Sequence, residues 1–208
     1  MERRSLSLAL IVICVLLIAS QGLAPQSLAA SPQAVEQALL NRVAERTGGR
    51  DEVAYHGETG KVRFIGTDQQ HPLAPTADLR AASPEQAARS VLGEYAPLLG
   101  LRDASKDLRL LSQHPAGAGR SFVRFQQTYQ AIPVVGGEII VQLNPANQVL
   151  SIGGELLPDL ALDTRPRIGA AAARQIALEQ LAKDYGLAVG DLQASPPELW
   201  IFLSLIHI

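Results

Sequence analysis

Read along the chain, the apolar positions change period several times. An unbroken apolar run from Leu8 to Ala19 comes first, behind Glu2-Arg3-Arg4. After Ser31-Pro32, Val35, Leu39 and Val43 recur at helical spacing until Gly48-Gly49. Ser can cap the free N–H groups of such a helix, and Pro suits its first turn. Glu52–His56 and Lys61–Ile65 then read as two short strands, with Gly57-Glu58-Thr59-Gly60 as the turn between them. Thr67–Arg80 contains His71-Pro72 and Ala74-Pro75 and reads as loop. Ser83-Pro84-Glu85-Gln86 spaces Ser and Gln as a capping box, and Ala88, Val91, Leu92 and Tyr95 share one face of the helix that follows.

Beyond Gly100 the period becomes two. Leu108–Ser112, Ser121–Gln130, Val134–Leu143 and Val149–Leu156 read as four successive strands, with Asn144-Pro145-Ala146-Asn147 turning between the last two. Short turns between consecutive strands imply antiparallel pairing. Past a polar link, Pro158–Arg167, a second helix is expected from Gly169 to Tyr185 with Ala173, Ile176 and Leu181 on its apolar side. Leu199-Trp200-Ile201-Phe202 then reads as a buried strand. Ala87-Ala88-Arg89-Ser90-Val91 and Ala172-Ala173-Arg174-Gln175-Ile176 echo each other, and each leads through Gly-Leu to Asp-Leu, which suggests a weak internal repeat. The pattern as a whole predicts an α+β fold: an antiparallel sheet packed with helices, in two small units.

The first apolar run changes how composition is read. It holds 12 residues, whereas a membrane span needs about 20. A basic start, a short apolar stretch and the small residues of Ser27-Leu28-Ala29-Ala30 have the layout of a secretory signal peptide. Cleavage is expected after Ala29 or Ala30, with Ala24 as an alternative, and no stable membrane anchor remains. Cys14, the single cysteine, lies in that segment. Its predecessor Ile13 does not suit lipid attachment. The whole chain carries 18 Lys+Arg and 20 Asp+Glu; losing Glu2, Arg3 and Arg4 leaves 16 and 19, a charge of −3. A net-acidic chain with 4% aromatics argues against binding nucleic acid through a basic surface or a stacking platform.

Known chemistries find little purchase. His56, His71, His114 and His207 are scattered, without a second ligand at helical spacing, so no catalytic residue and no metal ligand is assigned. Neither a G-x-S-x-G elbow nor a Walker loop occurs, and Gly117-Ala118-Gly119 reads as a hairpin turn. Glu138 and Glu155 could approach on neighbouring strands, although solvated face positions are the simpler reading.

The most informative stretch runs from Phe125 to Glu138: Phe125, Gln127, Tyr129, Ile132, Pro133, Val134, Gly136, Gly137 and Glu138 mark a strand, a break and a second strand. Pro133 lacks a ladder donor and belongs at a strand start or edge. Gly136-Gly137 within a strand pattern indicates a bulge or close backbone approach. Gln127 and Tyr129 share a face from which each could bond to the bulge.

This stretch, followed by Val149-Leu150-Ser151-Ile152-Gly153-Gly154-Glu155-Leu156, resembles the fungalysin/thermolysin propeptide (FTP) of secreted zinc metallopeptidases. Ala131 stands where that family usually has Gly, which weakens any expectation of an unusual backbone angle there. The helix-plus-strand unit from Gly169 looks like the PepSY module that follows in the same family. The resemblance implies a signal peptide over 1–30, a leader helix and hairpin over 31–80, an FTP-like domain over 81–157 and a PepSY-like domain, incomplete, over 158–202. It further implies a pro-region that assists folding of a cognate metallopeptidase catalytic domain in cis and holds it inactive. Zinc, and calcium if present, would belong to that domain, whose H-E-x-x-H helix this chain lacks, and the precursor would be secreted. A stand-alone exported inhibitor built from the same units is the alternative. Leu203–Ile208 is what CTG TCT CTT ATA CAC ATC would encode and resembles a library adaptor, so 203–208 is set aside as a possible artefact.

Overall fold

The computed structural model describes residues 30–76 and 78–202. Ala29 and the rest of the expected signal peptide, and also 203–208, lie outside the described residues; Ala30 is exposed. From Pro32 onward the chain clusters as one compact unit.

The described residues form an α+β fold in the order α1 (Pro32–Thr47), β1 (Asp51–Tyr55), β2 (Val62–Thr67), α2 (Pro84–Glu94), the single turn α3 (Ala104–Asp107), β3 (Leu108–Pro115), β4 (Ser121–Tyr129), β5 (Ile132–Leu143), β6 (Val149–Glu155) and α4 (Ala170–Tyr185). The six strands make one antiparallel sheet in the order β1-β2-β6-β5-β4-β3. The leader hairpin β1–β2 therefore belongs to the same sheet as the four-strand meander, through Phe64, Ile65 and Gly66 of β2 opposite Gly153, Ile152 and Ser151 of β6.

The expected helix start at Ser83 is present in full. Its hydroxyl accepts from Gln86 N, and the Gln86 side chain accepts from Ser83 N. Ala88, Val91, Leu92 and Tyr95 are completely buried, as the 3.6-residue spacing requires. They join Leu39 and Val43 of α1 against one face of the sheet. Across that face, register aligns Val53, Ile65, Ile152, Val141 and Val123 into one apolar row. Period-two alternation directs these side chains to the core and their neighbours outward.

Three expectations in the last third are corrected. On α4 the buried residues are Leu178 and Ala182, while Ile176 and Leu181 are exposed. Leu199–Phe202 is no buried strand: it makes one parallel bridge, Ile201 to Val134, with Leu199, Trp200 and Phe202 exposed. The helix echo is not followed by a second strand start. Asp107-Leu108 opens β3, but Asp191 closes a 3-10 turn (Val189–Asp191) and no strand begins at Leu192.

Candidate functional site

The β4–β5 hairpin is built around an interruption of its own ladder. Tyr129 pairs with Ile132 and Thr128 with Pro133, yet Gln126 pairs with Glu138. Two steps along β4 thus face five along β5, and Val134–Gly137 leaves the ladder as an excursion. Pro133 stands at its start, where a missing N–H costs no ladder bond. Gly136 has φ +75°, the left-handed region that glycine adopts freely. Gly137 is a close-approach position: a Cβ there would stand 2.9 Å from Gln127 Oε1 and 3.1 Å from Val134 Cβ.

Glutamine side chains hold both ends of the excursion and the segment beyond β6. Gln126 Nε2 donates to the carbonyls of Val134 (2.6 Å) and Gly137 (2.8 Å), and lies 3.2 Å from that of Gln127. Gln127 Nε2 donates to Leu157 O (2.7 Å), and Leu157 N donates back to Gln127 Oε1 (2.8 Å). Both side chains are buried. A buried amide left unpaired costs more than a made bond returns, so these pairings fix the local backbone. Thr128, also buried, donates through Oγ1 to Lys106 O (3.1 Å).

Two expectations are thereby revised. The residue that binds the excursion is Gln126, which the motif reading passed over, whereas Gln127 reaches Leu157. Gln126 alternates toward the outer face, and it is buried because the excursion covers it. The other revision concerns Ala131. The turn at Gln130-Ala131 holds both residues in the left-handed region, φ +51° and +66°, as a two-residue hairpin of this twist requires. Ala131 therefore bears the unusual angle that its identity argued against.

The remaining motif residues fall into place around this core. Phe125 is completely buried, with the Arg89 guanidinium 4.9 Å from its ring centroid. Ile132, Tyr129 and Pro133 are half-buried, Val134 is fully buried, and Gly136 is exposed. Glu138 and Glu155 are direct cross-strand partners. Each has its own cation, Arg124 for Glu138 (3.3 Å) and Arg63 for Glu155 (2.7 Å), with His56 Nε2 3.5 Å from Glu155. This is charge pairing on a solvated face.

A cleft of about 750 Å³ opens beside the hairpin, among Gln127–Ala131, α3 and Leu157–Leu160. Charges of both signs line it. Asp107 Oδ2 accepts from the backbone N–H groups of Arg102 and Asp103, and an Arg102 guanidinium nitrogen donates to Leu160 O. The carboxyl of Asp103, next to Arg102 in the chain, is held down to about 2 by bonds from Ser105 and Lys106. No group of His, Cys, Asp and Glu among the described residues is placed to hold a metal, and none of their helices is long and apolar enough to cross a membrane.

Against this geometry, residues 106–156 match the fungalysin/thermolysin propeptide motif. The match runs from α3 to the end of β6, so the motif is the β3–β6 meander with its interrupted hairpin at the centre. Such a motif suggests a protease propeptide region. No curated protein matches the chain.

Proposed function

We propose that this chain is the pro-region of a secreted zinc metallopeptidase precursor, acting on its own catalytic domain as intramolecular chaperone and inhibitor. The propeptide motif at 106–156 is the observation that carries this reading. On this proposal residues 1–30 are the export signal, 31–80 are the leader helix and the hairpin that joins the sheet, 81–157 form the FTP-like domain and 158–202 belong to a PepSY-like module. Zinc, with calcium if present, is the property of the catalytic domain.

The chemistry of the described residues supports a binding role. The hairpin spends its buried polar groups on shaping backbone, and a propeptide acts by contact: it buries apolar area and pairs main chain with its enzyme. Exposed apolar side chains at Ile168, Ile176, Leu181, Tyr185 and Leu187 offer such area.

The test is refolding in trans. A denatured thermolysin-like catalytic domain is diluted with and without the chain, and the yield of active peptidase is measured after the chain is removed. Native enzyme is assayed in parallel for inhibition. A higher yield together with inhibition supports the proposal. No effect on either at micromolar chain, with the cognate domain encoded downstream as the enzyme, rejects it.

A further inference from the structure

The excursion Val134–Gly137 has an edge that β4 does not use. Gln126 takes the carbonyls of Val134 and Gly137. Val135 N and the carbonyl of the preceding Pro133 are taken by Ile201: Ile201 N donates to Pro133 O (2.8 Å) and Val135 N donates to Ile201 O (2.8 Å). The pairing is parallel and one residue long. Ile201 is 8% exposed there, while Trp200 and Phe202 on either side are 40% and 70% exposed.

Contacts within the hairpin itself hold the excursion's shape. Gln126 ties both ends, Gly136 supplies the backbone angle and Gly137 the close approach, all from within the hairpin. The geometry points to a strand acceptor: Pro133–Val135 is a binding site for an extended segment, filled in this chain by Leu199–Phe202. Main-chain bonds provide the attachment, and one buried aliphatic side chain, Ile201 beside the buried Val134, sets the register. Beyond the propeptide reading, this gives the interruption of β5 a task of its own, anchoring the end of the 192–200 segment, which has no regular structure of its own. Gln126 is its positioning residue.

Trp200 is the single tryptophan and neighbours the bridge, so it reports on docking directly. Three forms of the full chain are compared: wild type, Val135→Pro, which deletes the N–H that Ile201 accepts, and Val135→Ala, which keeps it. Emission and acrylamide quenching of Trp200 are measured with far-UV circular dichroism as a check on folding. Val135→Pro should red-shift Trp200 and raise its quenching constant about twofold or more, while Val135→Ala leaves both as in wild type. Amide exchange of the wild type gives a second reading that needs no variant. Val135 and Ile201 should exchange roughly tenfold or more slowly than the exposed amides of 192–199. Exchange of those two amides as fast as their exposed neighbours overturns the assignment, as does an unchanged Trp200 in a folded Val135→Pro chain. If Val135→Pro does not fold, the exchange measurement decides alone.

Discussion

The side chain of Gln127 and the main chain of Leu157 pair in both directions, at 2.7 and 2.8 Å. A primary amide carries the same donor and acceptor as a peptide group, so Gln127 extends β4's hydrogen bonding onto the first residues after β6. The strand pair and the linker are thus held by one side chain.

Truncating that side chain leaves a part-buried N–H and C=O at Leu157 without their partner. Gln127→Ala should cost about 2–3 kcal/mol, from two lost bonds and the desolvated groups left behind. Urea unfolding measures it, through the midpoint at unchanged slope. A loss below about 0.5 kcal/mol would mean that water replaces the amide at no cost.

Ala131 predicts the opposite sign. An L-residue in the left-handed region costs roughly 1–2 kcal/mol, a strain that glycine escapes. Ala131→Gly should stabilise the chain by about 0.5–1 kcal/mol net of glycine's greater unfolded freedom. Ala131→Val should destabilise it by more than about 1 kcal/mol, because β-branching aggravates φ > 0. Thermal midpoints of the three chains order the effects, and a Gly variant below wild type would contradict the turn geometry.

These two positions also show what the sequence could and could not reveal. Capping residues at Ser83 and Gln86, and the 3.6 and 2.0 periods, are local signals, and the helices and meander they indicate are present. The role of Gln126 was not local. Alternation places it on the outer face correctly, but its burial comes from an excursion whose length depends on register between two strands. Ala131 follows the same logic: its angle is imposed by a two-residue turn, and turn length is known only once Tyr129 is paired with Ile132. Leu199–Phe202 failed for a third reason. A short apolar run does not say how many of its residues have a strand partner, and here the bridge is made by Ile201 alone of the four.

Glu94 ties α2 to α1 and to the loop before it, and predicts acid sensitivity. It accepts from Arg46 (2.8 Å) and from the Thr76 hydroxyl (2.8 Å), with Arg42 at 3.5 Å. Burial pushes its carboxyl up, but the Thr76 and Arg46 interactions outweigh that and hold it below its ordinary 4.5. A depressed carboxylate contributes stability that is present above its unfolded value and is lost as pH falls through the lower folded value. Stability should therefore fall below about pH 4.5 in wild type, and Glu94→Gln should lower the neutral plateau and flatten that descent. Urea midpoints from pH 7 to pH 3 test it. Parallel curves for the two chains would remove Glu94 as a source of the slope.

Two glycines of opposite environment give the sharpest contrast in packing. At Gly154 on β6, opposite Ile139, a Cβ would run into the carbonyl oxygen of Glu138 and stand 2.6 Å from Ile139 Cα. Backbone of a central strand cannot move aside as a flexible side chain can. Gly154→Ala should therefore cost about 2–3 kcal/mol by forcing β5 and β6 apart. Gly93 lies inside α2, with nothing within 4 Å of a Cβ. There alanine adds helix propensity and removes unfolded-state freedom, so Gly93→Ala should stabilise by about 0.5–1 kcal/mol. The positions lie on different elements, and the double variant should equal the sum of the single changes within about 0.5 kcal/mol. Denaturant titration of wild type, the two single variants and the double variant measures each term. A neutral Gly154→Ala would show that the β5–β6 pair relaxes to admit a methyl group, and would place the strands farther apart than the described register allows.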